Sequence, residues 1–451
     1  MVNALQNNQA VTAAKVLVAG LGATGLSVAR FLARRGVAVT VADTRESPPG
    51  LEALQREHPE IRIYVGTLPA SVLDEVGEVV ASPGLDLSLP FFAETRARAI
   101  PIIGDIELFA RVADAPILAI TGSNGKSTVT GMVAALLKAS GRNVRAGGNL
   151  GPAALALIGD EAPDFYVLEL SSFQLQSVYT LEPAVAAVLN ISADHIDRHG
   201  SVDAYAAAKA KIFEKCHIAV VNRDDPRVMR IPTHATTVSF GFDAPAREQF
   251  GLVDKDGEPW LARGSMALLR AAEIPLIGRH NVANALAALA IASAAGAPAQ
   301  AAAQALRKYR GLPHRMQRVA SVCGATWVND SKGTNVGATV AAIRGLSGNL
   351  VLIAGGEAKG ADFSELADAA TGRVHSAILI GRDASLIGDA LENRCTVHYE
   401  KSMDDAVRTA AEICNDGDTV LLSPACASFD MFSGFEERGD VFARAVRRLT
   451  P

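Results

Sequence analysis

The stretch that decides the fold is residues 116–128, Pro-Ile-Leu-Ala-Ile-Thr-Gly-Ser-Asn-Gly-Lys-Ser-Thr. An apolar run that ends in a glycine turn, followed by Lys-Ser-Thr, predicts a buried strand, a phosphate-binding loop and the start of a helix. The loop amides, the Lys126 ammonium group and the Ser127 hydroxyl can hold nucleotide phosphates and Mg²⁺. The spacing departs from the usual G-x-x-x-x-G-K-[ST] because Ile120 stands where the first glycine is expected. A chance glycine turn is the alternative explanation.

Length, composition and charge narrow the class of protein. A chain of 451 residues is too long for one ordinary core and predicts about three domains. With 43 basic and 48 acidic residues the net charge is −5, and no Lys/Arg run is dense enough to follow nucleic acid. Residues 1–10 lack the features of a signal peptide, and Asn284, Gly296 and Pro298 interrupt the apolar stretch 281–306. We therefore expect a cytoplasmic protein without membrane spans, in which 281–306 forms a packed helix pair.

Apolar runs alternate with helix-like segments in three successive series, which is the pattern of parallel sheets with crossover helices. The first series covers residues 16–103, the second begins at Pro116, and the third follows residues 311–315. Residues 237–260 have the pattern of short strands with turns, for which we predict an antiparallel edge. The fold prediction is three tandem α/β domains: a Rossmann-like domain (1–104), a central phosphate-loop domain with a parallel sheet (105–311) and a second Rossmann-like domain (312–451).

A glycine-rich turn follows the first apolar run. It reads Gly-Leu-Gly-Ala-Thr-Gly over residues 20–25, and Asp43 ends the next predicted strand. These are the elements of a dinucleotide fingerprint, in which glycines admit a pyrophosphate and an acid accepts from a ribose hydroxyl. The motif does not name the nucleotide, because NAD and a UDP-linked ligand share this chemistry. A turn that serves only helix packing is a further alternative.

Three charged or polar side chains of the central domain are candidate ligands. Glu169 lies near the end of the apolar run 165–170. A buried acid at this place needs a metal ion or another partner. The alternative is an acid at an exposed strand end. His195 lies in a polar cluster after the next strand and could bind a metal, or it is an ordinary surface histidine. By spacing alone, Lys209 belongs to the solvated face of a helix over 203–216.

Three polar loops of the last series each follow an apolar run and lead toward a helix. They cover residues 329–335, 355–362 and 423–430. Because the carboxyl ends of parallel strands meet at one edge of a sheet, these loops together predict a ligand-binding wall. Ordinary strand-to-helix turn chemistry is the competing explanation for each loop taken singly.

Taken together, these segments resemble the Mur ligase family, and within it the members that add D-glutamate, over essentially the whole chain. The resemblance is carried by Gly-Asp-Ile-Glu-Leu (104–108), Thr-Gly-Ser-Asn-Gly-Lys-Ser-Thr (121–128), Gly-Gly-Asn (147–149), Leu-Glu-Leu-Ser-Ser-Phe-Gln-Leu (168–175), Gly-Leu-Pro-His-Arg (311–315), Asn-Asp-Ser-Lys (329–332) and Ser-Pro-Ala-Cys-Ala-Ser (423–428).

This resemblance implies an ATP-dependent carbon–nitrogen ligase. It would join D-glutamate to UDP-N-acetylmuramoyl-L-alanine through an acyl phosphate, as a cytoplasmic monomer of peptidoglycan synthesis. ATP, two Mg²⁺ ions and a carbamylated lysine at position 209 would be needed. The residues implied to bind the UDP substrate are Gly22, Thr24, Asp43, Thr44, Arg45, Ser82, Pro83, Gly84 and, near the acceptor group, Asn149.

The same resemblance assigns the remaining site residues. Ser127 and Glu169 would hold one metal ion, His195 and the modified Lys209 the other, and these side chains with Lys126 form the catalytic set. The positions implied to bind ATP are Gly122, Asn124, Gly125, Lys126, Ser127, Thr128, Asn284, Arg315 and Asp330. Those implied to bind D-glutamate are Thr334, Lys359, Ser428, Phe429 and Phe435, with Phe429 replacing a smaller apolar residue that is familiar in the family.

Rival functions make distinct demands on the chain. Folylpolyglutamate synthase shares the phosphate-loop domain but lacks the amino-terminal domain that residues 16–84 predict. The diaminopimelate- and lysine-adding Mur ligases carry an Asp-Asn-Pro loop that this sequence lacks. A nicotinamide oxidoreductase would leave the phosphate loop unused. A non-catalytic ATP-binding switch protein would bind ATP without amino-acid-dependent turnover.

Overall fold

A computed structural model describes residues 15–149, 151–276 and 278–449, except for the side chain of Asp197. The described chain contains three α/β regions, each built on its own mainly parallel sheet, as predicted. It divides into two compact units, the first within residues 1–256, 260–268 and 286–305, and the second within 257–259, 269–285 and 306–451. The domain boundaries at 104 and 311 stay a prediction. No helix of the described ranges is long and apolar enough to cross a membrane.

The first sheet has the strand order β3-β2-β1-β4-β5, and all its pairs are parallel. The chain reverses its direction of winding at β1, and ligands of doubly wound sheets bind at such a point. The turn 20–25 leaves β1 there, as the fingerprint predicts. The strands are β1 (Lys15–Ala19), β2 (Val39–Ala42), β3 (Arg62–Tyr64), β4 (Val76–Ala81) and β5 (Ile102–Ile103), and the helices are α1 (Ala23–Arg34), α2 (Leu51–Glu57), α3 (Pro90–Ala97) and α4 (Asp105–Val112).

The second sheet has the order β14-β13-β12-β11-β10-β9-β6-β8-β7. Its strands are β6 (Ile117–Thr121), β7 (Val144–Gly148), β8 (Phe165–Glu169), β9 (Val185–Val188), β10 (Ile218–Asn222), β11 (Thr236–Phe240), β12 (Phe250–Lys255), β13 (Glu258–Arg263) and β14 (Met266–Arg270). Its helices are α5 (Lys126–Ala139), α6 (Ser172–Gln176), α7 (Ile196–His199), α8 (Val202–Ala210) and α9 (Pro226–Met229). The predicted helix pair is α10 (Arg279–Ala294) and α11 (Ala299–Leu306).

Two expectations about this region need correction. The pairing of β11 with β12 is parallel, through Phe240 and Phe250, so the predicted antiparallel edge is wrong for its first pair. The connection 241–249 is longer than a hairpin turn, which allows the chain to return before β12 begins. The helix predicted over 203–216 ends at Ala210 and continues as a short 3-10 turn over 211–213.

The third sheet has the order β15-β16-β20-β17-β18-β19, with only the β15–β16 pair antiparallel among the pairs described. Because β20 lies between β16 and β17, the three polar loops leave one edge from neighbouring strands. The strands are β15 (Gln317–Val322), β16 (Ala325–Asn329), β17 (Leu350–Gly355), β18 (Val374–Ile380), β19 (Thr396–Tyr399) and β20 (Thr419–Leu422). The helices are α12 (Val336–Gly345), α13 (Ser364–Ala370), α14 (Ala384–Ala390), α15 (Met403–Ile413) and α16 (Phe435–Arg447).

Candidate active site

The phosphate loop lies between β6 and α5, as the sequence predicts. Asn190, which follows β9, braces it from outside the motif. The Asn190 carbonyl accepts from Ser123 N at 2.9 Å, its side-chain oxygen accepts from Asn124 N at 2.8 Å, and its amide donates to Asn124 O at 3.1 Å. Sequence analysis missed Asn190, although its place just beyond the carboxyl end of a strand was an available signal.

Lys126 points its ammonium group at the same loop. Its Nζ donates to the carbonyl oxygens of Gly122 at 2.8 Å and Ser123 at 2.9 Å. The first residue of α5 therefore holds a positive charge at the helix N-terminus, where backbone amides already favour anions. This arrangement suits the neutralisation of phosphate oxygens.

Glu169 is buried and joins two other predicted site residues. Its Oε2 accepts from Ser127 Oγ at 2.5 Å, and its Oε1 accepts from Asn149 Nδ2 at 2.8 Å. Strand register explains the meeting, because Glu169 of β8 pairs with Ile120 of β6 on one side and with Gly148 of β7 on the other. The alternative of an exposed strand end is therefore wrong. A buried carboxylate beside a hydroxyl offers the oxygen ligands that Mg²⁺ prefers.

Lys209 is only 1% exposed, so the solvated helix face predicted from its spacing is wrong. Its Nζ donates to Gly122 O at 2.9 Å and to Thr121 Oγ1 at 3.3 Å, and lies 4.5 Å from the centroid of the Tyr205 ring. Burial lowers the pKa of Lys209 well below its usual value, and the charge of Lys126 lowers it further, against smaller opposing effects of nearby carboxylates. The neutral form of the Lys209 amine is therefore favoured at this position.

His195 lies on the segment after β9, at the start of α7, with its side chain half exposed. Its ring centroid is 5.0 Å from that of Phe173, and its Nε2 is 3.8 Å from Asp194 Oδ2. In the described structure, His195 makes no hydrogen bond to Glu169 or Lys209. Among the residues that the structure describes, no three His, Cys, Asp or Glu side chains lie close enough together to hold a metal ion. A metal role for His195 therefore stays a prediction.

The predicted UDP-binding residues of the first sheet line one cleft of about 340 Å³. Close packing requires glycine here, since a Cβ at Gly25 would lie 1.8 Å from Gly20 O. The residues of the prediction that line the cleft are Gly22, Thr24, Asp43, Thr44, Arg45, Ser82, Pro83 and Gly84.

Asp43 is buried beneath this cleft and is engaged by the protein itself. Its Oδ2 accepts from Leu21 N at 2.6 Å and from Arg45 Nη2 at 2.7 Å, and its Oδ1 accepts from Arg45 N at 2.8 Å. Burial would raise the pKa of Asp43, but the bonds from Arg45 and the backbone outweigh it and lower the pKa. Asp43 thus orients Arg45 and the glycine turn, and its contact with a ribose stays a prediction.

The second compact unit contains Asn284, Arg315 and Asp330, which the resemblance assigns to ATP. Asp330 is buried, and its carboxylate accepts from Ser423 Oγ at 2.9 Å and from Met316 N at 3.2 Å. Burial raises the pKa of Asp330 to about 6. The Asn284 amide donates to Asn281 Oδ1 at 3.1 Å. Contact of these residues with a nucleotide stays a prediction.

Backbone hydrogen bonds join the three polar loops at the edge of the third sheet. Ala425 N donates to Gly333 O at 2.8 Å, Gly355 N donates to Pro424 O at 2.9 Å, and Glu357 and Ala427 exchange two bonds of 3.0 Å. The predicted meeting of the loops is therefore confirmed. They carry Thr334, Lys359, Ser428 and Phe429, while Phe435 begins α16.

The side chains on these loops differ in exposure. Ser428 is buried, whereas Phe429 is 67% exposed and lies 5.6 Å by its ring centroid from Lys359 Nζ. Lys332 Nζ lies 3.8 Å from the centroid of the Phe435 ring, so a second cation belongs to this wall. Sequence analysis did not single out Lys332, although its place in the first polar loop was visible.

Comparisons with known proteins agree with this architecture. Family models match in three places: Mur ligase MurD-like, N-terminal domain (residues 14–104), Mur ligase middle domain (120–292) and Mur ligase, glutamate ligase domain (314–426). The UDP-N-acetylmuramoylalanine--D-glutamate ligase of Nitrosococcus oceani is 50% identical over 444 residues, which cover 98% of each chain. The enzyme of that name from Pseudomonas aeruginosa is 48% identical over 440 residues, covering 96% of this chain and 98% of the relative.

Solved structures show the same fold at low sequence identity. The UDP-N-acetylmuramate-alanine ligase of Thermotoga maritima aligns with a TM-score of 0.60 and 17% identity, over 96% of this chain and 99% of that one. The folylpolyglutamate synthase of Mycobacterium tuberculosis aligns with a TM-score of 0.56 and 19% identity, over 74% of this chain and 91% of that one.

Proposed function

Since the chain belongs to the Mur ligase family, we propose that it joins D-glutamate to UDP-N-acetylmuramoyl-L-alanine at the expense of ATP, in peptidoglycan synthesis. The substrate assignment is supported by relatives named for this reaction that align over nearly their whole length. The observation that carries the ATP-dependent chemistry is the Ser127–Glu169–Asn149 cluster beside Lys126 of the phosphate loop. We also place the enzyme in the cytoplasm, as a monomer.

The reaction proceeds in two steps. The carboxylate of the L-alanyl group attacks the γ-phosphorus of ATP, which forms an acyl phosphate and releases ADP. The amine of D-glutamate then attacks the acyl carbon, phosphate leaves, and the nitrogen loses a proton as the amide forms. Lys126 and the loop amides neutralise the crowded phosphate oxygens in the first step. Asn149, held by Glu169, lies at the end of β7 and would meet the acceptor substrate.

The metal assignments follow the family resemblance, and the donor chemistry fits them. Ser127 and Glu169 would hold one Mg²⁺, while His195 and carbamylated Lys209 would hold the other. The buried carboxylate of Glu169 fits this role, since an uncompensated buried charge is costly. When bound, Mg²⁺ supplies positive charge against the phosphate oxygens. Lys209 suits carbamylation because its amine is buried and its pKa is lowered, which favours the neutral form that adds to carbon dioxide.

The remaining assignments divide the substrates between the sheets. The cleft at the end of β1 would take the UDP group, and the loops of the third sheet would take D-glutamate. Lysine and hydroxyl groups suit a ligand with two carboxylates. Asn284, Arg315 and Asp330 would contact the nucleotide.

Phosphate release tests the proposal. The protein is supplied with ATP, Mg²⁺ and UDP-N-acetylmuramoyl-L-alanine, and D-glutamate is compared with L-glutamate, L-lysine and meso-diaminopimelate. We expect turnover with D-glutamate alone. Turnover with another amino acid would replace the substrate and keep the family. No amino-acid-dependent release would favour the ATP-binding switch, and turnover of a reduced folate with L-glutamate would favour folylpolyglutamate synthesis.

A further inference from the structure

Arg438 is a buried cation that the proposed reaction does not use. It lies in the first turns of α16 and is 1% exposed. Burying a guanidinium group is costly unless its donors are satisfied. Burial lowers the pKa of Arg438 to about 10, so the side chain still carries its charge at neutral pH. Its hydrogen-bond partners therefore decide what this buried charge does.

The guanidinium group binds all three polar loops of the third sheet. In the first loop, Nε donates to Ser331 Oγ at 3.0 Å and Nη2 donates to Ser331 O at 2.9 Å. In the second loop, Nη1 donates to Gly355 O at 3.4 Å. In the third loop, both Nη atoms donate to Cys426 O at 3.2 Å, and Nη1 donates to Ala427 O at 3.4 Å. Every acceptor is therefore an oxygen of these loops, mostly of the backbone.

We call the bonds from Arg438 to the three loops the clamp. The loop backbones that it joins lie close together and adopt strained conformations. Gly356 has φ +130°, and a Cβ there would lie 2.1 Å from Ala427 O. Lys359 and Ala425 have φ values of 52° and 59°, which are unfavourable for side chains larger than glycine. Arg438 also shares its helix with Gly439, whose carbonyl accepts from Asn329 Nδ2 at 2.9 Å. The first turns of α16 thus dock directly onto the loop ends.

From this geometry we infer that Arg438 is a positioning residue for the amino-acid substrate. By holding the loops that carry Thr334, Lys359 and Ser428 in one arrangement, it sets the spacing of the groups that face the two carboxylates of D-glutamate. Arg438 does not itself touch the substrate. For the identity of the ligand, this inference rests on the proposed function. The bonds from Arg438 to the loops lie within the protein and do not depend on which amino acid binds there.

The kinetic test compares Arg438→Lys with Arg444→Lys, the same change at an exposed arginine of α16. We expect Arg438→Lys to raise the KM for D-glutamate about tenfold, because lysine cannot reproduce the planar fork of donors. The KM for ATP should rise less than the KM for D-glutamate. Asp330 belongs to one of the held loops, but its carboxylate is also fixed by bonds from Ser423 Oγ and Met316 N. Arg444→Lys should change neither constant.

Hydrogen exchange gives a readout that does not depend on the substrate. Residues 355–362 and 423–430 should exchange faster in Arg438→Lys than in the wild type and in Arg444→Lys. Unchanged exchange with an unchanged KM for D-glutamate would overturn the inference, and so would equal increases of both KM values. If the wild type shows no turnover with D-glutamate, the proposed function fails while the exchange experiment still decides the clamp.

Ser331→Ala covers the case in which Arg438→Lys does not fold. This change leaves Arg438 in place and removes one acceptor of the guanidinium group, together with the bond that Ser331 Oγ donates to Phe435 O at 2.8 Å. We expect a smaller increase of the KM for D-glutamate, about threefold, which is the scale of one ordinary hydrogen bond. The backbone oxygen of Ser331 still accepts from Nη2 in this variant. A folded Ser331→Ala protein with wild-type KM and exchange would contradict the clamp.

Discussion

Lys209 and Arg438 are both buried cations, each 1% exposed, yet their surroundings differ. Lys209 has one carbonyl and one hydroxyl as hydrogen-bond partners and another ammonium group nearby, and its pKa is lowered well below the usual range. Arg438 has acceptors for all of its donors and keeps its charge. Burial thus prepares an amine for chemistry when its hydrogen-bond partners are few, whereas it fixes a guanidinium group in place when its partners are many.

The largest expected effect is at Lys209. Lys209→Ala should reduce phosphate release by on the order of 10³-fold, the scale at which charge-stabilising groups act in active sites. Short-chain carboxylates such as acetate should restore part of the activity if a carbamate normally supplies a carboxylate there. Lys211→Ala, two residues along, is the control and should retain activity. Full activity of Lys209→Ala would remove Lys209 from the catalytic set.

Glu169 is a buried carboxylate whose charge acts on Lys209. Glu169→Gln keeps the size of the side chain and its partners Ser127 and Asn149 but removes the charge. We expect turnover to fall about 10²-fold and the Mg²⁺ concentration for half-maximal activity to rise, because a neutral amide is a poorer ligand for Mg²⁺. A normal Mg²⁺ dependence in Glu169→Gln would argue that Glu169 only braces Asn149.

Asp105 extends the comparison to a buried acid. Its pKa is raised from 3.8 to about 6 by burial, against the opposing bonds from Gln174 and from the backbone amides of Ile106 and Asp105. The folded state therefore binds this proton more tightly than the unfolded state, so stability falls as the pH rises from 4 to 6 and the full cost persists above 6.

Asp105→Asn should thus stabilise the protein at pH 7.5. Two units of pKa set an upper limit of about 3 kcal/mol, and the new amide at the Oδ1 position would cost about 1 kcal/mol, which leaves about 2 kcal/mol. Thermal unfolding at pH 7.5 and pH 5 measures the difference, which should shrink at the lower pH. The exposed Asp160→Asn serves as control. A destabilised Asp105→Asn protein at pH 7.5 would show that the carboxylate is stabilised in place.

The smallest effect is expected at Phe429, at the exposed end of the wall that Arg438 holds. Phe429→Leu should change the KM for D-glutamate by less than about threefold, since a side chain that is 67% exposed contributes little packing. A larger change would mean that Phe429 covers the bound amino acid, and that Arg438 positions a lid as well as a wall.

Most of the fold could be predicted, and the misses have physical reasons. The apolar strands were found because buried parallel strands are continuous apolar runs. Three strands carry weaker signals. The segment of β7, Val-Arg-Ala-Gly-Gly, is not an apolar run, and β15 and β19 lie at the edges of their sheet and are partly exposed. Edge strands need no apolar run, since one side of each remains in solvent.

The candidate site was predictable where the signal is local. The phosphate loop, the glycine turn at 20–25 and the three polar loops depend on the order of neighbouring residues, and each lies where the pattern placed it. Glu169 was ambiguous until strand register set it beside Ser127. Asn190 and Arg438 carried no motif, because their roles consist mainly of bonds to backbone atoms.

Three α/β series and a phosphate loop could be predicted from the sequence, because periodicity and glycine spacing are properties of short segments. The family was predicted from the resemblance of longer motifs, such as residues 121–128 and 423–428. Only the tertiary structure decided that Lys209 is buried against the loop of Gly122 and that Arg438 joins Ser331 to Gly355 and Cys426. These contacts link residues far apart along the chain. Burial of a charge depends on what the fold packs around it, which no local pattern records.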